Sequence, residues 1–546
     1  MNDLGTPPAV AADRIFHGYD ITRLTMTNVL QEQSRRHGSR RFLRFLPDGR
    51  ELTFADMDRL SNAYANRLAE QGIGKGHHVA VMMTNSPEQL LSYFALGKLG
   101  AVSVPVNNGA RGDSLRHILD HADVTAVLAD IELAQELLPL WKELPKIARI
   151  WTLGKGDLDC PVPRHDFRDL TTGPDHAPDA EVSYQDLAFI NYTSGTTGPA
   201  KGVMLSHARA LLWGLSHADA FGQNEHDTVY ICLPMFHVNA LQGASFNALL
   251  VGAEVVLQKR FSASGFWKDI REHDVSVTNL LGSMVNILWA RPRDPLDAQN
   301  RLRMVMTVPL PAFATAFEER FGLKFTSGYS LTDYGPSHAF TLDDPPSKLG
   351  SAGRLRRGMQ ARIVDEHDFE LPPGVPGELV IRSTIAWNST SGYYRQPRET
   401  LASLRNGWFH TGDRCVIDQD GYMWFIDRKK DVIRRKGENI SSFEVEQVIL
   451  KHPAVADAAA YAVPSEMSED ELALSVILKD GHTLSPAQLS EWFRAVMPRY
   501  MWPRFLHFTD SVPRNLSQKI EKYKLREWAV SNVTTFWDRE TQEGRG

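Results

Sequence analysis

Short apolar runs alternate with stretches of helical spacing through roughly the first 400 residues. His78–Met83 (HVAVMM) is apolar enough for a buried strand. Pro87–Leu99 (PEQLLSYFALGKL) repeats its apolar positions at helical intervals, and Ala101–Val106 (AVSVPV) returns to strand character. A second unit follows, with strand-like Val124–Ala129, helical Leu133–Leu140 and strand-like Arg149–Leu153. A third runs through Ala253–Leu257, Phe266–His273 and Val275–Leu280. Repeated strand–helix–strand units predict α/β layers built on parallel sheets.

Near residue 345 the pattern changes. From Asp344 to Gly421 the chain is rich in Gly and Pro with short alternating runs such as Gly377–Arg382 (GELVIR), which predicts a smaller β-rich subdomain. After the charged string at 427–431 the pattern reads helix Ser442–Lys451, strand Ala456–Val463, strand Leu472–Leu478 and helix Ser485–Val496. The expectation is a large N-terminal domain over 1–427, a hinge at 428–431, and a small, mobile α+β domain over 432–546.

Composition narrows the function classes. A chain of 546 residues exceeds what one core usually supports. The 60 basic and 66 acidic residues are interleaved, so no basic field points to nucleic acid or an anionic membrane. No run approaches the ~18 apolar residues of a membrane span. The start, Met-Asn-Asp-Leu-Gly-Thr-Pro-Pro, has no signal-peptide pattern. Cys160, Cys232 and Cys415 are too few and too scattered for a disulfide framework or a metal cluster, which predicts a cytoplasmic protein.

Tyr192-Thr-Ser-Gly-Thr-Thr-Gly-Pro-Ala-Lys-Gly202 carries the chemistry most clearly. It leaves the apolar run Leu187–Asn191, so it is a loop at the end of a strand. Thr193, Ser194, Thr196 and Thr197 bring hydroxyls, Gly195 and Gly198 leave backbone N–H groups approachable, and Lys201 adds charge. Such a loop wraps phosphate oxygens. It is not a Walker loop, because Ala200 stands where that motif needs Gly.

With this string, the chain resembles the adenylate-forming superfamily of acyl-CoA synthetases, luciferases and peptide-synthetase adenylation domains. Gly407-Trp-Phe-His-Thr-Gly-Asp413, Lys436-Gly-Glu-Asn-Ile-Ser-Ser-Phe-Glu444 and Val512-Pro-Arg-Asn-Leu-Ser-Gln-Lys519 are most similar to crotonobetaine/carnitine CoA ligases. The resemblance implies a ligase that adenylates a small-molecule carboxylic acid (short, cationic, aromatic or fatty) with ATP and Mg²⁺ and passes the acyl group to coenzyme A, as a monomer or homodimer. In Gly328-Tyr-Ser-Leu-Thr-Asp333 it implies that Tyr329 stacks on adenine, Thr332 bonds the α-phosphate and Asp333 meets magnesium. Ser330 and Asp333 replace the family's Gly and Glu. Asp413 is implied to bind the ribose hydroxyls and Arg428 the ribose or phosphate. His237, in Pro234-Met-Phe-His237, is implied to gate the acyl pocket.

Lys519 is implied to be the cation of the adenylation step, with Gln518 in place of the usual Gly; nearby Lys522 and Lys524 read as a solvated basic face. Lys430 falls at the family's hinge, which swaps Lys519 for the segment Lys436–Asn439, where Gly437 leaves room for pantetheine. The alternatives are a stand-alone adenylation domain, a luciferase-like oxygenase, and a non-catalytic nucleotide-binding homologue. The acyl pocket is implied to draw on Gly282–Asn286, Thr307–Pro311 and Tyr329–His338, where Thr307-Val-Pro-Leu-Pro departs from the usual small residues and favours a short or compact acid.

Overall fold

The computed structural model describes residues 16–193, 200–311, 313–428, 432–435, 438–464, 470–514 and 519–543. They form two compact units. One holds most of the chain up to Gln360 together with Arg382–Gly407; the other holds Ala361–Ile381 and the chain from Trp408 onward. The expected hinge at 428–431 lies outside the described residues but for Arg428.

The larger unit is built on two sheets. In the first, seven strands run in the order Arg164–Asp166, Arg149–Leu153, Ala126–Asp130, His78–Met82, Val102–Pro105, Leu187–Thr193, Lys201–Ser206. All neighbours are parallel except the last pair. The second sheet has nine strands. Its centre is a parallel run of Glu254–Leu257, Thr228–Ile231, Val277–Leu281, Met304–Val308 and Lys324–Leu331, and antiparallel strands close both edges.

Helices fill the space between the sheets. Pro87–Lys98 starts where Ser86 caps the Gln89 N–H and Pro87 fills a position whose N–H has no helical partner. Every residue but one of that helix is buried. Helix His207–Phe221 is just as enclosed, and one apolar core joins these helices to Val79, Val81, Phe189 and Leu205 of the first sheet and Val229, Val255, Val277 and Met304 of the second. Two further cores cover the outer faces of the sheets. A strand buried on both faces is a continuous apolar run, which is why these strands stand out in the sequence.

One predicted helix differs. Over Leu133–Leu140 the α-helix stops after Ile131–Ala134 and continues as a 3₁₀ helix, Gln135–Glu143. Pro139 inside it has no N–H for the carbonyl four residues back, and its ring crowds that carbonyl.

In the other unit, Gly377–Ser383 pairs antiparallel with Trp408–Ile417, which pairs with Met423–Arg428. A separate sheet runs Val455–Pro464, Asp470–Leu478, Phe505–Phe508, Trp537–Asp538. Helices Ser442–Ile449 and Pro486–Val496 share the core on one of its faces, and Lys522–Asn532 packs Leu525 and Ala529 against Ala459 and Tyr461 on the other. The helix–strand–strand–helix reading holds here. Strand Phe505–Phe508, parallel to Asp470–Leu478, and helix Lys522–Asn532 are additions to it.

Candidate active site

The phosphate-loop string joins two antiparallel strands, Leu187–Thr193 and Lys201–Ser206, at the edge of the seven-stranded sheet. Ser194, Gly195, Thr196, Thr197 and Gly198 lie outside the described residues, but the stems are in place: Thr193 faces Lys201 across the ladder, and Tyr192 faces Gly202. Gly202 must lack a side chain. A Cβ there would stand 2.7 Å from Ile190 Cγ2 and 3.1 Å from the Tyr192 ring.

Two histidines hold the stems from outside. On helix Gly112–His121, His117 bonds the Ala200 carbonyl through Nε2 at 2.9 Å, and His121 bonds the Tyr192 hydroxyl through Nδ1 at 2.7 Å. Spaced four apart, they lie on one helix face. Burial, and then the charge of His117, moves the His121 pKa down, so it is neutral at neutral pH.

Tyr329, Thr332 and Asp333 sit on one hairpin. Strand Lys324–Leu331 ends, turns through 332–334 and returns as Gly335–Phe340, with Tyr329 opposite His338 and Leu331 opposite Gly335. Buried Arg209 fixes the turn: its Nε donates to the Tyr334 carbonyl at 3.1 Å. Gly335 has φ +142°, and a Cβ there would meet Arg209 Nη2 at 2.7 Å, so the guanidinium packs directly on backbone.

Lys201 and Asp333 come together through a residue that the motifs do not mark. The ring of Tyr393 lies under the Lys201 ammonium, 4.9 Å from its centroid, and the Tyr393 hydroxyl donates to Asp333 Oδ1 at 2.8 Å. Asp333 thereby keeps a second carboxylate oxygen for other partners. A hard cation fits that donor. Magnesium is usually held by one or two carboxylates plus substrate phosphates rather than by a cage, and among the described residues there is no cluster of three or more His, Cys, Asp or Glu arranged for a metal.

His237 is itself exposed, on a separate segment that buries Met235 and Val238; its N–H donates to the Pro234 carbonyl and its carbonyl accepts from Leu241 N–H. It leads into the π-helical segment Asn239–Phe246, tied to strand Val277–Leu281 by Asn279 Nδ2 donating to Asn239 Oδ1 at 2.6 Å.

In the other unit, Asp413 and Arg428 are direct ladder partners. Asp413 is buried, its N–H bonded to Thr411 Oγ1, and the preceding Gly412 N–H donates to Glu378 Oε1. Lys519 is exposed, and the next residue, Ile520, forms an antiparallel bridge with Arg514. Gly437 and Lys430 lie outside the described residues.

Lys522 corrects the reading of a solvated basic face. Its ammonium is largely buried, 2.8 Å from Glu446 and 2.6 Å from Ser442 Oγ, while Lys524 is half-exposed beside Glu521. Burial pushes the Glu446 carboxyl up, and the Lys522 charge works against it. A lysine so engaged is structural.

A family model described as AMP-binding enzyme matches residues 30–394, and one described as AMP-binding enzyme C-terminal domain matches 444–519. The crotonobetaine/carnitine–CoA ligase of Salmonella paratyphi B is 30% identical over 489 residues, covering 87% of this chain and 93% of that protein. Among solved structures, ATP-bound MatB from Rhodopseudomonas palustris superposes with TM-score 0.82 at 25% identity, over 93% of this chain and 99% of that one. An O-succinylbenzoate coenzyme A synthetase (MenE) from Bacillus subtilis, in complex with AMP, gives TM-score 0.79 at 25% identity, over 91% and 98%. The chain belongs to the AMP-binding enzyme family. Within that family it is an acid–thiol ligase. Among the described residues no helix is long and apolar enough to cross a membrane.

Proposed function

We propose that the protein joins ATP to a small carboxylic acid, releasing pyrophosphate, and then transfers the acyl group from the acyl-adenylate to the thiol of coenzyme A, releasing AMP. The observation that carries this reading is the Lys201–Tyr393–Asp333 constellation, in which the cation of the phosphate-loop stem and the acid of the 324–340 hairpin meet one tyrosine.

In this reading the phosphate loop, with Lys201 at its stem, receives the triphosphate. Tyr329 stacks on adenine and Thr332 donates to the α-phosphate. Asp413 accepts from the ribose hydroxyls, and Arg428 adds a contact to ribose or phosphate. Magnesium, when held at Asp333, offsets phosphate charge. Attack of the acid on the α-phosphate brings two anions together, and Lys519 supplies charge where the transition state gathers it. Rotation of the small domain about residues 428–431 then brings the Gly437 segment in for the thiol.

The relatives' names include crotonobetaine and carnitine, whose quaternary ammonium calls for an aromatic or acidic cage. Gly282–Asn286 (GSMVN) and Thr307–Pro311 (TVPLP) carry no acid, whereas Tyr329–His338 carries Asp333 together with Tyr329 and Tyr334. Thr307 is wholly buried, and the Pro309 carbonyl lies 3.0 Å from where a Cβ on Gly282 would stand. This crowding favours a compact acyl group, with His237 at its entrance. The free cysteines fit a reducing cytoplasm.

A panel of carboxylic acids, scored first for pyrophosphate release and then for thioester, tests the reading. AMP and pyrophosphate are the expected nucleotide products. ADP and orthophosphate instead would overturn it.

A further inference from the structure

Tyr393 is placed by backbone, not by its own side chain. Residues 391–394 lie along strand Lys201–Ser206 as an extra edge: Ser391 N–H donates to the Met204 carbonyl, Met204 N–H to the Gly392 carbonyl, and Tyr394 N–H to the Gly202 carbonyl at 2.7 Å. Val203 and Tyr393 form an antiparallel bridge, and Tyr393 N–H donates to Thr400 Oγ1 at 2.9 Å. Successive residues on an extended edge point to opposite faces. Tyr394 therefore turns outward, donating to Asp123 and packing against the rings of His78 and His121, while Tyr393 turns to Lys201 and Asp333.

The two groups Tyr393 touches have opposite charge and are both needed by the nucleotide. Left to themselves at short range, an ammonium and a carboxylate form an ion pair. Among the described residues neither forms one. The π face of a ring attracts a cation, and the phenol O–H of the same ring donates to an anion.

We infer that Tyr393 is a positioning residue that keeps Lys201 and Asp333 apart, one on its ring face and the other at its hydroxyl, so that neither neutralises the other before the nucleotide arrives. Asp333 is one methylene shorter than glutamate, and the hydroxyl fixes which of its oxygens remains available. The inference rests on the proposed reading only in taking Lys201 and Asp333 as groups that meet ATP.

Calorimetric titration of the whole protein with ATP, in EDTA and across Mg²⁺ concentrations, separates the two halves of the claim. Tyr393→Phe keeps the ring and loses the hydroxyl. It should bind metal-free ATP as wild type does, while the Mg²⁺ concentration for half-maximal tightening rises ~10-fold. Tyr393→Leu loses both contacts and should weaken metal-free ATP ~10-fold as Lys201 collapses onto Asp333. Adding Asp333→Asn to Tyr393→Leu removes the carboxylate and should restore metal-free binding.

If Tyr393→Phe leaves the Mg²⁺ dependence unchanged, or the double variant binds metal-free ATP as weakly as Tyr393→Leu, the ring only packs the strand edge and the inference fails. If the wild-type protein takes up no ATP under any condition, the proposed function itself fails, a distinct outcome. Matching thermal midpoints between Tyr393→Phe and wild type exclude a general folding defect.

Discussion

Lys519→Ala is expected to slow acyl-adenylate formation from acid and ATP by at least 10²–10³-fold, the usual cost of one donor to a developing oxyanion. The same variant, given preformed acyl-adenylate and coenzyme A, should make thioester at close to the wild-type rate. The asymmetry follows from when the charge is needed. Adenylation drives a carboxylate against a triphosphate, and a cation that meets both counts most in that transition state. The thiol step attacks the acyl carbon of a mixed anhydride that keeps a single phosphate charge, so no carboxylate is driven onto a triphosphate there. Lys519 is exposed, so its removal leaves no cavity.

Lys522 is the control that tells position from charge. It pairs with Glu446 inside the fold, and removing one partner of a buried pair costs about 3–5 kcal/mol. Lys522→Met should therefore lower stability without separating the half-reactions. Gly437→Leu should show the reverse of Lys519→Ala, blocking thioester formation and sparing adenylation. If Lys519→Ala and Gly437→Leu each lose both steps equally, one fixed arrangement does all the chemistry and the proposed domain rotation is wrong.

The layered α/β architecture was legible because strands buried on both faces are uninterrupted apolar runs, as in HVAVMM, and their helices carry local start signals such as Ser86-Pro87. Sheet order was not. Nothing local tells Arg41–Phe45 to lie beside Glu254–Leu257, some two hundred residues away, because that pairing is decided by which face each strand must bury. The short-range motif residues were readable for the same reason that Tyr393 was not. Thr193 and Lys201 are set by one hairpin, and Tyr329 to Asp333 by another. Tyr393 reaches both only because a distant segment adds to a strand edge. Two aromatic residues before a Pro signal a turn and not a ligand. The histidines at 117 and 121 left a trace, a spacing of four on a helix, but their partners lie beyond residue 190. Lys522 was misread because a helix start with Lys at two nearby positions looks solvated until Glu446 is found under it.

Acid should destabilise the larger unit steeply, beginning just below pH 6.5. Three histidines are wholly enclosed there: His207, His217 and His338. Burial moves all three down, His207 to about 4 and His338 to about 3, with Arg356 adding to the shift of His217 and His338. Their contacts are those of neutral rings. Met26 N–H donates to His207 Nδ1, and Arg356 Nη1 lies 3.3 Å from His217 Nδ1. Asp186 opposes the shift at His207 and Lys75 reinforces it; at His217 the Trp213 carbonyl opposes the shift, and Asp219 acts on the Arg356 charge.

The sign follows from the depressed values. Above the unfolded pKa of ~6.5 neither state binds the proton and nothing is lost. Below it the unfolded chain takes protons that the native rings refuse, so stability falls as pH falls, until the folded values are reached. Each ring forfeits about 1.4 kcal/mol per pH unit in that window. His207 and His338 alone therefore cost ~5 kcal/mol between pH 6.5 and 4.5, a large part of the ~5–15 kcal/mol that holds a typical domain. Urea unfolding at pH 7 and at pH 5.5 measures the slope, and His338→Gln should reduce it by one proton while leaving the pH 7 midpoint less affected. A midpoint that stays flat across this interval would mean that these rings exchange protons freely in the native state and that the enclosed core is open to water.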